Sequence, residues 1–151
     1  MNQKHKKLAE EIYVASVFAL AEKGMDAPIF ILIKNDKSIP LLIPPDLEIG
    51  VAEYASMASD NARDLNADAI IVISGMWVVI DKAENLDPNV KPSDHPNREH
   101  YLNLVYMSAD GKTLESIAGK VETDLAGHQF VREHEWLESM LDFNFIEAWK
   151  E

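Results

Sequence analysis

Ala69-Ile-Ile-Val-Ile-Ser-Gly-Met-Trp-Val-Val-Ile80 is a long apolar run rich in β-branched residues, and its reading decides the fold. Apolar and polar positions hardly alternate in it, which is the pattern of a central strand covered on both faces. Gly75 in its middle has no side chain to pack and marks either a bulge or the close approach of another backbone. After Asp81 the composition turns polar, with Pro88, Pro92 and Pro96 spaced four apart, until Glu99 reopens an apolar pattern. This excursion reads as a structured connection or a mobile flap within one domain. A second strand then runs from Tyr101 to Met107.

Outward toward the N-terminus, Asn66 is placed to end a helix in the left-handed conformation. That helix carries Leu47, Val51, Tyr54, Ala58, Ala62 and Leu65 at helical spacing, with Asp46 as N-cap behind Pro44 and Pro45. Before it, Ile29-Phe-Ile-Leu-Ile33 and Ile39-Pro-Leu-Leu-Ile43 flank the polar turn Lys34-Asn-Asp-Lys-Ser38, a hairpin signal. Pro40 cannot donate to a ladder, so its strand lies at a sheet edge or begins there. From Lys4 to Lys23, Leu8, Ile12, Ala15 and Ala19 form one helical stripe, widened by Tyr13, Val17 and Leu20, and Gly24 ends it.

Toward the C-terminus, Ala109-Asp-Gly-Lys112 is a tight-turn signal joining Tyr101–Met107 to a strand over Thr113–Glu122. In that strand Ile117, Gly119 and Val121 alternate with Ser116, Lys120 and Glu122, as in an outer strand. An aromatic helix closes the chain, with Trp136, Met140 and Phe143 on one stripe and Leu137, Leu141, Asn144 and Phe145 on the next. The expected fold is a single α+β domain over residues 1–151, in the order α-β-β-α-β-β-β-α. Its five-stranded sheet is largely antiparallel, with the helices gathered on one face.

Composition narrows the function. The 151 residues carry 47% hydrophobic and 26% charged side chains, the balance of a soluble globular domain. No cysteine is present, so disulfides, thiolate metal sites and Cys nucleophiles are excluded. A net charge of -12 argues against a nucleic-acid partner, because phosphate recognition needs clustered Lys and Arg. No apolar run approaches the ~20 residues of a membrane span. Lys4, Lys6 and Lys7 before Ile12–Ala21 imitate a secretory signal with Ala19-Leu-Ala21 as its cleavage site, but Glu10 and Glu11 interrupt the join. The expected location is the cytoplasm.

Three constellations carry candidate chemistry. Lys91-Pro-Ser-Asp-His-Pro-Asn-Arg-Glu-His100 gathers imidazoles, carboxylates, a hydroxyl and a guanidinium within the excursion. Arg98 is suited to fork onto a carboxylate or phosphate, and His95 to act as acid, base or ligand near neutral pH. The plain structural alternative has Ser93 and Asp94 capping a turn while Arg98 pairs with Glu99 or Asp81. Second, His134 and Glu138 lie four apart on the expected helix and, with His128, form a candidate metal set. That run lacks the second histidine of an H-E-x-x-H motif, and a solvated acidic helix face explains it equally. Third, Met76, Trp77, Trp136, Phe143, Phe145 and Trp149 form either an aromatic pocket lining or core. Ser74-Gly75 lacks the G-x-S-x-G elbow, and no Gly-rich phosphate loop follows a strand, so no cofactor is expected.

Ile73-Ser-Gly-Met-Trp77, Pro92-Ser-x-His-Pro-x-Arg98 with Glu99 after it, and the strand ending in Asp110-Gly111 resemble a family of short uncharacterised proteins from bacteria and their phages. The likeness spans roughly Ala69 to Gly119. It implies an α+β fold and a bacterial or phage origin, and no activity. The position of Gly75 is usually Glu in that family, so an acidic role there is lost or carried elsewhere.

The leading expectation is therefore a non-enzymatic acidic interaction protein with an unknown protein partner. Its candidate surface comprises Ser74, Trp77, Ser93, His95, Arg98 and Glu99. A small enzyme or ligand- or metal-binding domain using the Ser93–Glu99 loop is the alternative. A homodimer paired through an edge strand near Thr113–Glu122 is a third reading.

Overall fold

The computed structural model describes residues 2–23, 28–41, 50–79, 81–91, 94–138 and 149. They form α1 (Gln3–Lys23), β1 (Ile29–Lys34), β2 (Lys37–Pro40), α2 (Val51–Leu65), β3 (Ala69–Val79), β4 (Arg98–Ser108), β5 (Leu114–Thr123) and β6 (Gln129–Glu138). The strands make one antiparallel sheet in the order β2-β1-β3-β4-β5-β6, so the chain is α+β with β3 inside the sheet. Two turns match their sequence signals. Asn35 and Asp36 both have positive φ in the two-residue β1–β2 loop, and Asn66 ends α2 in the left-handed region at φ 53°.

Among the described residues six strands stand where five were expected, because Gln129–Glu138 is itself a strand at the end of the sheet. Val121 pairs with Val131 but Gly119 pairs with His134, so β6 bulges by one residue against β5. The bulge reverses the strand's parity, and Val131 before it and Trp136 after it pack on the same core. A mixed odd and even apolar set imitates helical spacing, which explains the misreading. β5 is consequently interior, and the edge strands among the described residues are β2, which holds Pro40 as expected, and β6. Exposed Arg132, Glu133 and Glu135 line β6 and discourage edge-to-edge pairing. Gly24, Asp46, Leu47, Met140, Leu141, Phe143, Asn144 and Phe145 lie outside the described residues.

The two helices occupy opposite faces rather than one. Ala9, Tyr13 and Leu20 of α1 pack on Ile31, Ile33, Ile71, Ile73 and Leu104, while Ala55, Ala58 and Ala62 of α2 pack on Phe30, Leu32, Ile70 and Val72. The cause lies in β1 and β3, which are apolar at consecutive positions and so present two greasy faces, each needing a cover. Burial of each such Leu or Ile contributes about 1.5–3 kcal/mol. The buried stripe of α1 is His5, Ala9, Tyr13, Ser16 and Leu20, rotated from the expected one, so that Ala15 and Ala19 are exposed. No helix among the described residues is long and apolar enough to cross a membrane.

Tyr13 fixes α1 to the sheet. Its hydroxyl donates to the Leu102 carbonyl at 2.9 Å, and burial pushes its pKa up to about 12. The phenol reaches that carbonyl only because Gly119 lies beneath it: a Cβ there would stand 2.6 Å from the Tyr13 hydroxyl and 2.9 Å from the Glu133 carbonyl oxygen. Gly119→Ala is therefore expected to lower stability by about 1–3 kcal/mol, because the backbone neighbour cannot rotate away. A urea midpoint equal to that of the wild type would contradict this account of how α1 docks.

Candidate functional site

β3 and β4 pair without interruption from Ala69 opposite Ser108 to Val79 opposite Arg98. Because side chains alternate, Gly75, Trp77, His100 and Arg98 all fall on the α1 face of this ribbon. Trp77 and His100 face each other directly, their rings stacked with centroids 4.7 Å apart and 25° between planes. The Arg98 guanidinium carbon lies 5.2 Å from the Trp77 ring centroid, a cation–π contact. His100 leans over Gly75, where a Cβ would stand 2.7 Å from its Nε2. Gly75 thus marks a close approach by a side chain, with no break in register.

The excursion holds Arg98 in place. Asp81 accepts from the Lys82 N–H at 2.7 Å, Asn85 Nδ2 at 3.1 Å and Asn97 Nδ2 at 2.8 Å. These bonds, the Asn85 contact foremost, hold its carboxyl below the usual value. His95 is only 9% exposed; its Nδ1 accepts from the Asn97 N–H at 3.0 Å and its Nε2 meets the Asn85 carbonyl at 3.3 Å. The His95 carbonyl in turn accepts both the Arg98 N–H at 3.2 Å and Arg98 Nη1 at 3.1 Å. His95 is therefore a support of the loop and a neighbour of Val79 and Leu86, not a side chain presented to solvent.

A cleft of ≈ 580 Å³ lies beside the stack, lined by Trp77, Arg98, Glu99, His100, Lys120 and Gln129 among others. It opens because β4–β5 pairing stops at Tyr101 opposite Lys120, while β4 continues along β3 to Arg98 and β5 continues along β6 to Thr123. Trp77 remains 43% exposed at this split.

The expected surface is only partly assembled. Trp77 and Arg98 come together, but Ser74 and Glu99 point to the opposite face by strand parity. Glu99 there accepts from Tyr101 Oη and Lys120 Nζ, each at 3.2 Å. Arg98 pairs with neither Glu99 nor Asp81, and Ser93 lies outside the described residues. The helix expected to carry the metal set is a strand, so His134 and Glu138, four residues apart, are about 13 Å apart along it and not one helical turn apart. His128 closes the β5–β6 turn, its N–H donating to Asp124 Oδ1 at 2.9 Å. Among the described residues no group of three or more His, Asp or Glu is placed to hold a metal.

The aromatic candidates also separate. Trp136 packs on the α1 core and donates to Glu10 Oε1 at 2.7 Å, whereas Trp149 packs on the α2 core and donates to the Ala67 carbonyl at 2.7 Å. Of the three tryptophans, Trp77 is the exposed one. His100, which completes the stack, was absent from the expected set; its signal was Arg98-x-His100 alternating opposite Trp77. A second constellation missed in sequence is buried His5, whose Nδ1 meets Tyr106 Oη at 2.7 Å and whose Nε2 lies 3.4 Å from Asp36 Oδ1. Burial raises the Tyr106 pKa to about 12, and the contact ties α1 to the β1–β2 turn. Compared with known proteins, the chain matches no family model, no curated protein and no solved structure.

Burial lowers the His100 pKa from its ordinary 6.5. As pH falls through 6.5 the unfolded chain takes up a proton that the folded chain refuses, so stability is lost in the acid direction until His100 itself protonates. His100→Phe should therefore flatten the fall of the urea midpoint between about pH 7 and about pH 5 relative to wild type. Parallel midpoint curves for the two proteins would show that His100 carries no such linkage.

Proposed function

We propose that this chain is a non-enzymatic recognition domain, cytoplasmic and of bacterial or phage origin, that binds a protein partner through the Trp77–Arg98–His100 corner and the cleft beside it. The observation that carries the reading is an indole left 43% exposed yet clamped by an imidazole and a guanidinium on a β3–β4 ribbon whose pairing is unbroken. Rigid, half-exposed Trp and Arg are the side chains that dominate binding energy at interfaces, because little entropy remains to be lost on contact. Internal bonds from Asp81 and His95 make the excursion a brace for this corner. The enzyme alternative is less well supported, since Ser74 lies across the sheet from Arg98, and Glu99, which borders the cleft, is engaged by Tyr101 and Lys120.

The test is quantitative affinity capture with the wild-type chain, Trp77→Ala and Arg98→Ala, each first checked for wild-type thermal unfolding. A genuine partner is expected to be recovered at least about tenfold less with either variant, as truncating a hot spot demands. Recovery of the same proteins in the same amounts by all three chains would end the proposal.

A further inference from the structure

Arg98 stands apart from the other two arginines. Arg63 lies 3.7 Å from Asp60 and Arg132 lies 3.4 Å from Glu122, whereas Arg98, among the described residues, meets no carboxylate despite a chain charge of -12. Its side-chain hydrogen bond from Nη1 to the His95 carbonyl and the Trp77 ring set the plane of the guanidinium. The remaining guanidinium N–H groups meet no acceptor among the described residues, and a planar fork of this kind matches a carboxylate in bidentate geometry.

Resting on the recognition reading above, we infer that the Arg98–Trp77 corner takes a single carboxylate of the partner set beside an apolar or aromatic side chain. The charge count selects the ligand. Of the charges lining the cleft, Lys120 and Glu99 neutralise each other at 3.2 Å, which leaves Arg98 to meet one negative charge and not a row of phosphates. The surrounding acid repels polyanions but acts weakly on a monoanion held at contact distance. The exposed part of Trp77 and the Val121 side chain at the cleft wall supply the apolar half of the site. The carboxylate belongs either to a chain terminus or to an Asp or Glu flanked by an apolar residue.

The two sources are separated by titrating the full chain with N-acetyl-phenylalanine and with N-acetyl-glutamyl-phenylalanine amide, following the Trp77 indole and Arg98 Nε resonances. Trp77→Phe assigns the indole signal. Saturable shifts at both groups are expected with at least one probe, the tighter one naming the source. Replacing the carboxylate of that probe by its amide should weaken binding at least about tenfold, as should Arg98→Gln, with Arg98→Lys in between. Equal binding of the amide, equal binding of inorganic phosphate at the same groups, or no shift up to about 20 mM probe would overturn the inference. If capture of a partner still depends on Trp77 while these probes fail, the recognition reading survives and the carboxylate assignment alone falls.

Discussion

The register between β3 and β4 governs the rest of the structure. Eleven consecutive pairs, from Ala69 opposite Ser108 to Val79 opposite Arg98, fix which side chains face α1 and which face α2. A slip of one residue would exchange the two sets on one strand relative to the other. At the inner end this parity sends Ile71, Ile73, Leu104 and Tyr106 to the α1 core and Ile70 and Val72 to the α2 core. At the outer end the same parity places Trp77 opposite His100. The stack is thus the continuation of a core layer past the point where Tyr13 and its neighbours cover it.

Several constraints then converge on one corner. Gly75 makes room for His100, the Asp81 and His95 bonds shape the turn that delivers Arg98, and the early end of β4–β5 pairing leaves an opening beside them. Each is inexpensive alone, since an exposed cation–π pair contributes about 0.5–1 kcal/mol. Together they hold a large aromatic surface in one orientation where water can reach it. A rigid surface of that kind favours binding to a preformed partner shape.

Much of this was legible in the sequence. The unbroken apolar run of β3 announced a strand covered on both faces, and Asn66, Asp110-Gly111 and the polar cluster around Asn35 and Asp36 marked turns that exist. The same two-faced run should have implied helices on opposite sides, an implication obscured because the helices themselves carry small residues such as Ala55, Ala58 and Ala62. β6 was illegible for a different reason, its one-residue bulge having scrambled the period of two across Val131 and Trp136. In the candidate site, Trp77 and Arg98 were visible as residue types in a suggestive neighbourhood. Composition cannot say, however, which face of the ribbon a residue takes. Ser74 therefore stands in the expected surface with side chains on the opposite face, Glu99 reaches the cleft from the other parity, and His100, outside that surface, completes the stack.

The central claim is that Trp77, His100 and Arg98 form one fixed stack over Gly75 in solution. Nuclear Overhauser contacts measured on uniformly labelled protein test it directly. The account predicts cross-peaks from the His100 ring to both the Gly75 Hα protons and the Trp77 indole, together with Arg98 side-chain protons shifted upfield by the indole ring current. Random-coil shifts for Arg98 and no contact between His100 and Gly75, in a protein whose β3–β4 backbone contacts are intact, would contradict it.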